Sequence, residues 1–306
     1  MGRPFRCMEI AEALSTRVSD GLRRIGARTF DFSREVAVMA ITNRTPDSFF
    51  DQGFTFELDK AVAAAIAAAG DGADFVDVGG VPFGRGPAVS LGEEIERVVP
   101  LVAAIHAASD VVISVDTFNA EVARLSIEAG ASVINDTSGL YDPTMAAVLA
   151  DSAATLVLTH SLAPPRSEPP RPHYDDVTAE VVAFLRDRVG RAVAAGIPLE
   201  RLIVDPGHDL NKNTHHSLEL TRRLEEIVAI GPPTLVALSN KDFIGETLDR
   251  GKGERLEGSL AGAVICIMKG ARIIRAHDVP ATLGAVRMTE AVLGFRNPAY
   301  ARHNMG

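Results

Sequence analysis

Tryptophan is absent from this 306-residue chain, and only two cysteines occur, Cys7 and Cys266. Thiols so few and so far apart offer neither a disulfide framework nor a zinc cluster, and a reducing, cytoplasmic setting is the expectation. Basic side chains are outnumbered: 31 Lys and Arg against 40 Asp and Glu give a formal charge of −9. Nucleic acid binding wants a basic face, so no nucleic-acid partner is expected, and the acidic surplus reads as solubility. No apolar run approaches the roughly 20 residues that span a bilayer, so no membrane partner is expected either. The longest candidate, Ala61 to Ala69, is mostly alanine and reads as a buried helix. The N-terminus lacks a long apolar leader.

What the sequence does contain is a regular alternation. Short apolar, β-branched runs occur at Val36–Ile41, Phe75–Val78, Val111–Val115, Ala131–Ile134, Thr155–Leu158, Leu202–Val204, Thr234–Leu238 and Arg272–Ile274. They are apolar throughout rather than every second residue, as parallel strands covered on both faces should be. Helical spacing fills the intervals. Ile95, Val98, Val99, Val102 and Ile105 form one stripe, which Pro100 is expected to kink. Val177, Val181, Leu185, Val189 and Val193 form another. Gly70, Gly130, Gly196 and Gly270 stand where helices should end. Eight strand–helix units in this length predict a (β/α)8 TIM barrel over residues 36–306, preceded by an N-terminal extension, 1–35. Within that extension Glu9 to Ile25 has the spacing of a short amphipathic helix. A doubly wound open sheet is the alternative, but no Gly-x-Gly-x-x-Gly turn follows the first strand.

Every predicted strand runs into a polar group. The sites are Asn43, Asp77, Asp116, Asn135 with Asp136, His160, Asp205, Ser239-Asn240-Lys241, and Arg275 with His277. Any single Asp after a strand is as readily a helix cap or turn former. Eight together at the mouth of a barrel point to a binding site. Asp116, Asn135, Asp205 and Lys241 provide two carboxylates, an amide and a cation, which suit a flat heterocycle with a guanidine-like edge. Arg275 and His277 are donors for a phosphate or diphosphate, and Asn43 offers an oxygen to a hard cation such as Mg²⁺. The lone Cys266 lies among apolar residues and reads as buried helix, not nucleophile.

The ordered motifs resemble those of the dihydropteroate synthase family. They are Ile41-Thr-Asn-Arg-Thr-Pro-Asp-Ser-Phe49, Asp77-Val-Gly-Gly80, Ser114-Val-Asp-Thr117, Ile134-Asn-Asp136, Asp205-Pro-Gly207, Lys241-x-Phe-Ile-Gly245, Arg255-x-x-Gly-Ser-Leu-Ala261 and Arg275-Ala-His-Asp-Val279. The resemblance runs over nearly all of residues 36–295. It implies a homodimeric barrel that joins 6-hydroxymethyl-7,8-dihydropterin diphosphate to p-aminobenzoate, with Mg²⁺ and no organic cofactor. It implies pterin contacts from Asp116, Asn135, Asp205 and Lys241, with Asp77 in the same pocket. Asn43, Arg275 and His277 would serve the diphosphate and its metal. Lys241, Asp205, Arg275 and His277 would carry the catalysis. Sulfone or sulfonamide analogues of p-aminobenzoate would be further ligands.

Four stretches depart from the family pattern. Where the family continues Glu-Ser-Thr-Arg-Pro-Gly, this chain has Val81-Pro-Phe-Gly-Arg-Gly-Pro87. After the fifth strand, Thr159-His-Ser-Leu leads into a proline-rich loop that ends at Pro172. Gly-Phe-Gly-Lys becomes Asp209-Leu-Asn-Lys212, with Leu210 where an aromatic would flank p-aminobenzoate. Ser-Arg-Lys becomes Ser239-Asn-Lys241, which loses a planar cation. The pattern points to a divergent paralogue with a retained pterin-type pocket and weak or absent synthase activity. An active synthase with compensating loops is the alternative. A non-catalytic binding protein and a barrel enzyme for another phosphorylated heterocycle are further readings, since fold does not fix function.

Overall fold

The computed structural model describes residues 21–43, 54–81, 89–163, 165–167 and 171–304. Eight parallel strands follow the apolar runs: β3 (Ala37–Asn43), β4 (Phe75–Gly79), β5 (Val112–Asp116), β6 (Val133–Asp136), β7 (Thr155–Thr159), β8 (Leu202–Asp205), β9 (Leu235–Ala237) and β10 (Ile273–Ala276). Their order is β8-β7-β6-β5-β4-β3-β10-β9. A parallel bridge between Val204 and Thr234 joins the two ends, and Pro233 O accepts a hydrogen bond from Val204 N at 3.0 Å. The sheet is therefore a ring, and the chain is a (β/α)8 barrel. Among the described residues no helix is long and apolar enough to cross a membrane.

The period of two in each strand sorts its residues into two cores. Val38, Val76, Ile113, Ile134, Leu156, Val204 and Val236 face the helices. Met39, Phe75, Val112, Val133, Val157, Ile203, Leu235 and Ile273 fill the barrel. Each buried Val, Leu, Ile or Phe contributes about 1.5–3 kcal/mol. Because both faces are covered, the runs are apolar without alternation, and the same period of two carries Asp77, Asp116, Asn135, Asp205 and Arg275 at their ends to the inward face.

The reading of Glu9 to Ile25 as a helix is corrected where the structure describes it. Leu22–Ile25 is β1, paired antiparallel with β2, Arg28–Asp31. Residues 9–20 lie outside the described residues. Ile25, Phe30 and Phe32 of the hairpin join the inner core. Phe30 stacks on Phe75 with ring centroids 4.9 Å apart, so the hairpin plugs the end of the barrel opposite the strand C-termini. Tertiary packing of three apolar side chains outweighs the weak helical period.

Two local expectations also change. The helix Leu91–Ala108 is capped by Ser90, which accepts from Glu93 N at 3.2 Å, and it runs unbroken through Pro100. In Val177–Ala194 the stripe buries Val177, Val181, Leu185 and Val189, but Val193 is exposed at the end of the helix. Gly130, Gly196 and Gly270 take positive φ as helix terminators, whereas near residue 70 it is Gly72 that does so.

Candidate active site

The third position of β4 puts Asp77 inside the barrel, fully buried and one layer above Phe75. Its Oδ1 accepts from Ser114 Oγ at 2.5 Å. Its Oδ2 accepts from Arg275 Nε at 2.6 Å and Asn135 Nδ2 at 3.2 Å. These donors come from β5, β10 and β6, so a single carboxylate ties four strands together. Through these bonds Asp77 holds its neighbours in place at the base of the mouth.

One step higher, Asp116 ends β5. Its Oδ2 lies 3.4 Å from Arg275 Nη2, and its Oδ1 accepts from Thr137 Oγ1 at 3.2 Å. Burial pushes this carboxyl up to about 7; Arg275 opposes the rise and the charge of Asp77 adds to it. Asn135 uses its amide nitrogen on Asp77 and leaves its Oδ1 buried with no hydrogen-bond partner. An orphan acceptor costs stability until a donor arrives. The adjacent Asp136 points the other way. It accepts from Ser138 N at 2.9 Å, Ser138 Oγ at 2.5 Å and Leu140 N at 2.8 Å, so it shapes the turn that follows.

Asp205 and Lys241 form a second group. Asp205 Oδ1 accepts from Gly207 N at 2.7 Å. Burial raises this carboxyl, with Lys241 the largest opposing influence. Lys241 Nζ donates to His208 O. Burial lowers its pKa, and Asp205 counters that. Gly207 has φ +66, and a Cβ there would lie 2.3 Å from His160 O, so only glycine fits this close approach. His277 stands apart, exposed at the rim, with Nδ1 3.0 Å from Ser239 Oγ. Asn43 is the last residue of β3, opposite Gly79, but its side chain lies outside the described residues. So do Arg85, Pro164 and 168–170 of the proline-rich loop.

Several residues at the mouth were not singled out by sequence. Ser114 sits two residues before Asp116, and the period of two places it on the same inward face. Asp209 and Asn211 take left-handed φ values of 64° and 52° at the positions where the family pattern has glycine. Asp and Asn tolerate this region and add side-chain bonds that glycine lacks. Asp209 accepts from Ser217 Oγ at 3.0 Å and from Phe243 N at 3.3 Å. Asn211 Oδ1 accepts from Ser161 Oγ at 3.0 Å, Leu162 N at 2.9 Å and Ala163 N at 3.0 Å. The loop after β8 is thereby fastened to the loop after β7. Lys212 lies buried beneath, with Nζ 2.8 Å from His160 Nδ1 and 2.9 Å from Gly207 O.

Arg255 positions the other wall. Its Nη1 donates to Asn240 O at 2.9 Å and Asp242 Oδ1 at 2.8 Å, either side of Lys241. Asn240 itself has φ 60° and an exposed side chain. Gly245 leaves room for the guanidinium, since a Cβ there would come within 2.4 Å of it.

Comparison with known proteins shows the family. A family model described as "Pterin binding enzyme" matches residues 39–277. The chain is 47% identical over 271 residues to "Inactive dihydropteroate synthase 2" of Mycobacterium leprae, covering 85% of this chain and 92% of that one. It is 44% identical over 260 residues to dihydropteroate synthase of Escherichia coli, again covering 85% and 92%. The solved structure of Xanthomonas albilineans dihydropteroate synthase with 4-aminobenzoic acid superposes with a TM-score of 0.84 at 37% identity, covering 90% of this chain and 99% of that one. With the polar layer of the barrel mouth and these likenesses together, the chain belongs to the pterin binding enzyme family as a homologue of dihydropteroate synthase.

Proposed function

We propose that this homologue binds a pterin-type heterocycle at the barrel mouth and catalyses the ordinary synthase reaction weakly or not at all. The observation that carries the reading is the pairing of Asn135 Oδ1, buried without a partner, with Asp116, a carboxyl held near neutrality beside it. Both want N–H donors, and the amino-pyrimidinone edge of a pterin supplies them. Asp205 and Lys241 complete the pocket, and Arg275 and His277 face the side where a diphosphate would leave.

The weak catalysis follows from what surrounds that pocket. Asn240 brings no cation to the mouth, and losing one donor to a leaving group costs ~10²–10³ in rate. Leu210 offers p-aminobenzoate no ring to stack on. The ties made by Asp209 and Asn211 fix a loop that glycines would leave free to adjust. Among the described residues no group of three His, Cys, Asp or Glu side chains could hold a metal ion. Any Mg²⁺ would be carried in on the diphosphate, with Asn43 the oxygen this chain adds. The protein is read as a cytoplasmic homodimer, and the exposed Ile265, Met268, Met288 and Val292 on adjacent helices offer an apolar face to a second copy.

The test is diphosphate release from 6-hydroxymethyl-7,8-dihydropterin diphosphate with Mg²⁺, with and without p-aminobenzoate, beside calorimetric binding of the dihydropterin. The expected result is binding with release near background. Efficient release that depends on p-aminobenzoate would favour the alternative, an active synthase in folate biosynthesis. Loss of neither binding nor release on replacing Asp205 or Lys241 would discard the pocket assignment.

A further inference from the structure

The barrel's other end carries a charge that the mouth does not explain. Arg23 lies on the inward face of the hairpin, only 8% exposed, between Leu22 and Arg24 that point outward. Its Nη1 donates to Leu22 O at 2.8 Å, and its Nε is buried with no partner. Among the described residues no carboxylate pairs with it. A buried cation without a counter-charge is costly, and such groups are ordinarily paired.

Arg23 lines a cleft of about 440 Å³ between the hairpin and the 231–234 turn. Arg272 lines the same cleft, as do Thr234 and Phe32, and among the described residues no Asp or Glu does. Thr234 Oγ1 is a second buried atom without a partner. Arg272 uses Nε on Phe32 O at 2.9 Å and Nη1 on Ala271 O at 2.8 Å, and its guanidinium lies 5.2 Å from the Phe295 ring centroid. Two helices, Leu224–Val228 and Leu256–Met268, end beside the cleft, and their carbonyl ends offset part of the positive charge. Those carbonyls are already engaged: Val228 O by Gly231 N at 3.1 Å and Ile267 O by Gly270 N at 3.0 Å. The nearby carboxylates are also committed. Asp31 accepts from Ser33 N and Oγ, and Glu290 accepts from Val36 N and Arg296.

We infer that this cleft is an anion site for a phosphorylated small molecule, distinct from the mouth at the opposite end of the barrel. Arg23 Nε, Arg272 and the Thr234 hydroxyl are donors of the kind that bind a tetrahedral oxyanion, and guanidinium groups suit phosphate geometry. The volume falls in the range of small-molecule sites rather than that of a bare ion. Phe32, Val228 and two prolines, Pro232 and Pro233, form the apolar part of the wall, so an organic phosphate should bind more tightly than inorganic phosphate.

The test uses the full chain at constant ionic strength. Thermal melting and calorimetric titration are run with inorganic phosphate, with phenyl phosphate, and with chloride as control. Both phosphates should raise the melting temperature above the chloride value, phenyl phosphate more. Arg23→Gln should weaken binding of either roughly tenfold or more, and Thr234→Val several-fold. Arg23→Gln removes a buried unpaired charge, so it is expected to fold; Thr234→Val gives a second, near-isosteric reading. His277→Ala, at the mouth, should leave the response intact. A response equal to that of chloride, an unchanged response in both Arg23→Gln and Thr234→Val, or one lost in His277→Ala would overturn the assignment.

Discussion

Asp116 gives the sharpest prediction, because its carboxyl is pushed up to about 7 by burial. A ligand that donates N–H groups to it favours the ionised form. At pH 6 only about one free protein in eleven carries the carboxylate, and at pH 8 about ten in eleven do. Dihydropterin affinity should therefore rise roughly tenfold from pH 6 to pH 8, about 1.4 kcal/mol. Binding at pH 6 should release close to one proton. The assay is titration calorimetry in two buffers of different ionisation enthalpy, with a dihydropterin that does not itself titrate in this range. Asp116→Asn keeps the acceptor for Thr137 but loses the charge. It should weaken binding at pH 8 by about 1–2 kcal/mol and flatten the pH dependence. In the ligand-free protein the sign reverses. The folded carboxyl keeps its proton where the unfolded one has lost it, so this contribution to stability is full at low pH and falls as pH rises toward 7. Affinity that is flat between pH 6 and 8 in the unsubstituted protein, with no buffer-dependent heat, would refute the reasoning.

Three further outcomes follow from the same geometry. Arg275→Gln leaves Asp77 buried beside Asp116 without its cation, and should cost about 3–5 kcal/mol in urea denaturation; a cost below about 1 kcal/mol would mean the network is solvated. Asn211→Ala removes three hydrogen bonds and puts a Cβ with no compensating polar group at φ 52°, so it should cost about 2–4 kcal/mol and speed amide exchange at Leu162 and Ala163. Asn211→Gly should recover the backbone part of that loss only, and equal costs for the two variants would discount the strain. Asn240→Arg returns a cation to the exposed rim and should tighten inorganic diphosphate about tenfold in direct titration, whether or not turnover returns; no gain would place the missing cation elsewhere.

The strand–helix alternation, the parallel barrel and the inward-facing polar ends were legible in the sequence because each depends on local periodicity. Strands covered on both faces must be apolar throughout, and a period of two then carries Asp77, Ser114, Asp116 and Asn135 to one interior. The glycine at 207 was legible as a motif, and its reason, the 2.3 Å approach to His160 O, was not. Sequence could not say that Asp77 accepts from Ser114, Asn135 and Arg275, because that depends on which strands become neighbours across residues 77 to 275. Nor could it anticipate that Asp209 and Asn211 do the work of glycines while fastening two loops together. The hairpin at Leu22–Ile25 is a similar case. A weak helical stripe in isolation becomes a strand once Ile25, Phe30 and Phe32 can close the barrel floor. The sequence by itself determined the family and the chemical make-up of the mouth, since both are written in residue types and their spacing. Only the tertiary structure decided which of those groups bond to one another and where a charge such as Arg23 is buried, since these depend on contacts between distant segments.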